Sequence, residues 1–174
     1  MLAYVFIVLA VGYRFLPHPT WWNFTPLAAS LLFFGAKQPR ARMWFPLMLA
    51  FGADLALNVF VWHYRVGAET LVSLAYYAGV LFLGGWLKNN SSTLRIVGAS
   101  LTMSVGFFLI SNFASWITMT ALYPRSLAGL MECYAAGLPF FRYGTLPGDL
   151  FFSAVFFGIA ALVASRESEH GVPA

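Results

Sequence analysis

A few polar side chains sit inside stretches that are otherwise apolar, and these are the residues able to do chemistry. Asp54 stands in Phe51-Gly-Ala-Asp-Leu-Ala-Leu-Asn58. A carboxylate surrounded by hydrocarbon costs several kcal/mol unless it is paired or neutralised, so it is either a ligand or proton site or half of a structural pair. Asn58 lies one helical turn further along the same face, and Arg14 and Asn112 are the other candidate partners. Asn112 lies in Ile110-Ser-Asn-Phe-Ala-Ser-Trp116, where its amide either bonds a neighbouring helix or lines a cavity. Arg14 and Asp149 fall at the ends of apolar runs. There Arg14 can snorkel to an interface, and Asp149, just after Pro147-Gly148, can complement a helix dipole.

A second group is aromatic. Leu138-Pro-Phe-Phe-Arg-Tyr-Gly144 carries Phe140, Phe141 and Arg142, and His18-Pro-Thr-Trp-Trp-Asn23 carries His18, Trp22 and Asn23. If they converge, with Trp116, Asn58 and Asn112 below them, they make an aromatic-walled pocket for a planar or anionic ligand. The alternative is a belt of aromatics at the membrane surface. The chemistry implied is binding rather than catalysis: the sequence has no Ser-His-Asp pattern, His-Glu-x-x-His pair, acidic cluster or nucleotide-binding loop. His18, His63 and His170 are scattered, so neither a metal site nor any other cofactor is expected. Cys133, the one cysteine, excludes an internal disulfide.

The elements holding these residues belong in lipid. Hydrophobic residues make up 60% of the 174 and charged ones 9%, against about 25% charged in soluble domains. The mean hydropathy is +0.75. The expected fold is all-α: one transmembrane bundle over 1–165, with a short polar tail at 166–174. Apolar runs mark helices over 2–16, 25–36, 43–62, 69–87, 94–117 and 147–164. The second is short, about 16 Å, and reads as either a span or a re-entrant half-helix. A further short helix over 126–138, capped by Ser126 and ended by Pro139, is expected to lie at the interface inside a long connection over 118–145.

The net charge of +4 reads as the positive-inside bias of membrane loops rather than as a nucleic-acid footprint. Six spans put Lys37, Arg40, Arg42, Lys88, Arg95 and Arg166 on one side and Arg14, Arg65, Arg125 and Arg142 on the other, with both termini cytoplasmic. Five spans move Arg14 to the first group. Both arrangements obey the rule, so charge leaves the number open. Small residues four apart, such as Ala75 and Gly79 or Ala154 and Gly158, suit close helix packing.

Several motifs together resemble an uncharacterised family of small bacterial membrane proteins. They are Arg14 with Pro17-His18-Pro19, Asn23-Phe-Thr-Pro26, Phe33-Phe-Gly-Ala36, Pro46 with Asp54, Ser111-Asn-Phe-Ala-Ser-Trp116, Tyr123-Pro124, Gly137-Leu-Pro-Phe-Phe141 and Gly148-Asp-Leu-Phe-Phe152. That family is in turn similar to the substrate-binding S components of energy-coupling factor (ECF) vitamin transporters. The resemblance implies a six-helix bundle in the bacterial inner membrane. Its ligand would be a vitamin or other micronutrient bound towards the outer face, and its partner an ATPase-driven transport module. Two other readings stay open: a five-span tetrapyrrole binder similar to tryptophan-rich sensory proteins, suggested by Pro19-Thr-Trp-Trp22, and a membrane scaffold or assembly protein.

Overall fold

The computed structural model describes residues 1–16, 23–63 and 67–169. They form α1 (Leu2–Tyr13), α2 (Leu27–Lys37), α3 (Trp44–Ala56), α4 (Ala68–Trp86), α5 (Thr93–Thr118), α6 (Leu127–Phe140) and α7 (Leu146–Glu169), with no strand among the described residues. A 3-10 turn, Arg40–Arg42, leads into α3. Two π-helical turns, Leu57–Val61 and Phe141–Thr145, extend α3 and join α6 to α7.

The short second helix is the centre of the bundle. Nine of its residues, Leu27 and Ala29 through Ala36, are buried. A helix that is apolar around its whole circumference belongs inside, and α2 packs against α1, α3, α4, α5 and α7. Its closest neighbour is α4. A Cβ on Gly84 would lie 3.0 Å from the Gly35 Cα and collide with the Leu32 carbonyl, so the two backbones touch. The Ala75 and Gly79 spacing on the same helix does not mark this contact, because a Cβ on Gly79 would meet nothing within 4 Å. Aromatic rings close the other side: Phe6 of α1 stacks on Phe156 of α7 at 4.4 Å, and Phe33 of α2 meets Phe157 edge-on at 5.0 Å.

The connection over 118–145 is corrected by the structure. Ser126 caps α6 as expected, its Oγ accepting from the Gly129 N–H at 3.2 Å, but Pro139 does not end the helix. The Phe141–Thr145 π turn carries the backbone into α7, with the Leu146 N–H bonded to the Phe141 carbonyl. Pro139 and Pro147 each lack an N–H and crowd the preceding turn, and a wider turn between them absorbs that mismatch. The helical stretch Leu127–Ser168 is 42 residues long and runs antiparallel to α5. Tyr134 reaches the Leu109 carbonyl, Phe141 packs against Phe108, and Asp149 meets Ser104. Asp149 therefore does not sit at a free helix N-terminus.

Among the described residues, three stretches are long and apolar enough to cross a bilayer: Arg40–Val61, Thr93–Thr118 and Leu127–Ser168. The helices Leu2–Tyr13, Leu27–Lys37 and Thr70–Trp86 are apolar but shorter. Outward-facing Leu9, Leu71, Phe82, Leu101, Leu109 and Leu162 are exposed. So much outward apolar surface suits insertion in a membrane rather than contact with water.

Candidate functional site

Asp54 is buried near the end of α3, three residues before the Leu57–Val61 π turn. Its partners come from two other elements. Arg14, held in a tight turn after α1 by its N–H to the Val11 carbonyl (3.2 Å), donates Nη1 to Asp54 Oδ1. The Tyr77 hydroxyl of α4 donates to Oδ2 at 2.7 Å, and Nη1 of Arg14 also reaches that hydroxyl at 3.5 Å. Both carboxylate oxygens are thus occupied, and the charges of Arg14 and Asp54 cancel locally. A buried pair holds only when its remaining donors and acceptors are satisfied in this way.

A second polar cluster faces it. Asp149 of α7 is 4% exposed. The Ser104 hydroxyl of α5 donates to its Oδ2 at 2.6 Å, and no donor among the described residues reaches Oδ1. Tyr76, next to Tyr77 on α4, donates its hydroxyl to the Met103 carbonyl at 3.3 Å. The adjacent tyrosines thus serve different clusters.

Between the clusters lies a cavity of about 110 Å³. Its walls are Arg14, Asn23 and Thr25 from the segment between α1 and α2, Leu27 and Ala28 of α2, Tyr76 and Tyr77 of α4, Phe107 of α5, and Thr145 and Asp149 where the π turn enters α7. The cavity exists because α1 and α2, about 18 and 16 Å long, end level with the middle of α5. Non-helical backbone at that depth is tolerated where it lines a cavity or is buried in protein. Asn23 takes a left-handed φ of 63° there. Gly148 lets the chain lie against α7: a Cβ on it would sit 3.3 Å from the Phe24 Cα. The second π turn contributes Thr145 to the cavity wall, and such turns are frequent at functional sites.

The structure thus brings Arg14, Asn23 and Asp149 to one cavity, with Asp54 holding Arg14 in place. His18 and Trp22 lie outside the described residues. The other expected site residues do not line this cavity. Asn58 is half-buried on the first π turn. Asn112 packs in the α5–α6 interface, its Nδ2 donating to the Phe108 carbonyl and its own carbonyl lying 3.2 Å from the Cys133 thiol. Trp116 donates Nε1 to the Pro124 carbonyl, with Arg125 over its ring. Phe140 is partly exposed, Phe141 packs its ring at a tilt against Phe108, and exposed Arg142 lies over the Tyr143 ring. The separation follows from the unbroken α6–α7 helix, which leaves Asn112 and the 139–143 segment above the cavity instead of folding them over it.

Sequence reasoning passed over Tyr76, Tyr77, Ser104, Phe107 and Thr145. The signal was Tyr76-Tyr77 in the middle of an apolar helix, since a buried tyrosine hydroxyl needs a partner.

Neither a curated protein nor a solved structure matches this sequence. A family model does, over residues 1–170, and the chain therefore belongs to DUF6580, a family of unknown function.

Proposed function

We propose that this protein binds and takes up a small molecule, a vitamin or other micronutrient, across the bacterial inner membrane, in the manner of an ECF transporter S component. One observation carries the reading: polar groups from four parts of the fold, the α1–α2 segment (Arg14, Asn23), α4 (Tyr76), the second π turn (Thr145) and α7 (Asp149), converge on one cavity in an otherwise apolar bundle. Ionisable groups inside a membrane bundle are rare and mark substrate or ion pathways. The volume, about 110 Å³, is of the order of an engineered cavity that admits benzene, roughly 150 Å³. That size supports a small ligand over a tetrapyrrole macrocycle.

Counting α6–α7 as one crossing gives six spans and cytoplasmic termini, with the ends of α1, α3 and α5 directed outward. Lys37, Arg40, Arg42, Lys88 and Arg95 then share the cytoplasmic face, in keeping with the positive-inside rule. The closed Arg14–Asp54–Tyr77 network favours a second reading, a scaffold whose polar residues only fix helix packing.

Native mass spectrometry of protein extracted in mild detergent separates the two. A retained small molecule, absent from an Ala28→Leu variant whose new side chain fills the cavity, supports uptake. A protein that carries no molecule and gains no thermal stability from a micronutrient panel is a scaffold.

A further inference from the structure

We propose that the cavity selects a small organic cation, a protonated amine or quaternary ammonium, with Asp149 as its counter-ion and the rings of Tyr76 and Phe107 as its wall. The inference rests on the binding role proposed above and names the ligand class. Charge carries it first. Arg14 and Asp54 neutralise each other through a direct ion pair. Asp149 lines the same cavity, is 4% exposed, and has only the Ser104 hydroxyl as a donor among the described residues. Among the described residues, no cation other than Arg14 lines the cavity, so the described walls carry one carboxylate without a cationic partner. Burying such a charge is expensive unless an opposite charge or a proton joins it.

The walls decide the kind of cation. Tyr76 and Phe107 lie 5.1 Å apart, centroid to centroid, and Tyr77 lies 5.9 Å from Tyr76. Aromatic faces beside a carboxylate attract alkylated ammonium groups, whose diffuse charge is weakly hydrated. A metal ion would require several more oxygen or nitrogen ligands, and no group of three His, Cys, Asp or Glu occurs among the described residues. Asn23 and Thr145 remain available for a hydroxyl or amide elsewhere on the ligand.

The test uses the full chain in detergent and compares choline with its neutral isostere 3,3-dimethyl-1-butanol, with 3,3-dimethylbutyrate, with ethylammonium and with sodium, reading thermal stabilisation against concentration. Choline or ethylammonium should stabilise the protein saturably, and the neutral and anionic analogues at least about tenfold less effectively. Asp149→Asn should abolish the difference between choline and its isostere, while Asp149→Glu should keep it. If Asp149→Asn does not fold, the wild-type comparison alone decides. Equal response to choline and the neutral isostere overturns the proposal while leaving a binding cavity in place. A preference for the carboxylate overturns it, as does a sodium effect to which choline adds nothing. No response to any probe also overturns it, and the uptake reading then stands or falls on the retained molecule.

Discussion

Gly84 of α4 lies against Gly35 of α2 so closely that a Cβ on Gly35 would stand 3.1 Å from the Gly84 Cα and collide with the Leu81 carbonyl. Small residues permit such backbone approach where helices associate in lipid. Gly35→Ala and Gly84→Ala are each predicted to lower stability by about 1–3 kcal/mol through overpacking. Gly79→Ala, with open space around it, should stay within about 0.5 kcal/mol. Unfolding midpoints in detergent measure all three. A Gly35→Ala protein as stable as Gly79→Ala would mean that the two helices are not in backbone contact.

The ion pair makes a prediction with a distinctive sign. Asp54→Ala strands the Arg14 guanidinium and should cost about 3–5 kcal/mol. Replacing both partners, Arg14→Met with Asp54→Leu, should recover much of that loss, because no buried charge is left unpaired. Tyr77→Phe, which removes one hydrogen bond to Asp54, should cost about 1–3 kcal/mol. A double variant as unstable as Asp54→Ala would place the importance of Asp54 in something other than its charge.

The α5–α6 interface should be sensitive where the aromatic segment beyond it is not. A Cβ on Gly137 would run into the Asn112 side chain, so Gly137→Ala is expected to destabilise by about 1–3 kcal/mol. Exposed Arg142→Ala should change stability by less than about 0.5 kcal/mol and leave ligand retention intact. Loss of a retained molecule in Arg142→Ala would return that residue to the binding site.

Orientation can be read directly. Cysteines introduced at Gln38 and Asn90, beside Lys37, Arg40, Lys88 and Arg95, should resist an impermeant thiol reagent in intact cells and react after lysis. The prediction follows from the concentration of positive charge in these two short turns. Labelling of either position in intact cells would invert the topology.

Much of the bundle was legible because apolar runs, prolines and Ser126 mark helix positions with local physics. The buried pairing of Asp54 was legible too, since a carboxylate in an apolar helix must find a partner. What the sequence hid was long-range. Whether α2 faces lipid or protein depends on how many neighbours surround it, and its composition is compatible with either. Pro139 reads locally as a stop, yet the π turn after it restores the helix, and this difference leaves the 139–143 segment off the cavity that Thr145 and Asp149 line. Tyr76 and Tyr77 look like ordinary aromatic filling until Asp54 and Met103 are seen opposite their hydroxyls.

The burial of α2 on every side has a consequence for biogenesis. A segment of about 16 Å with no lipid-facing side has little to hold it in the bilayer alone, yet two of its main neighbours, α4 and α7, emerge from the ribosome after it. Its seating must therefore wait for the C-terminal helix, whose Phe156 and Phe157 close over Phe33. A chain truncated after α5 should leave a cysteine at Ala29 open to a membrane-permeant thiol reagent, whereas the full-length chain should shield it. Equal shielding in both would mean that α2 settles without α7, and that the order of synthesis matches the order of assembly.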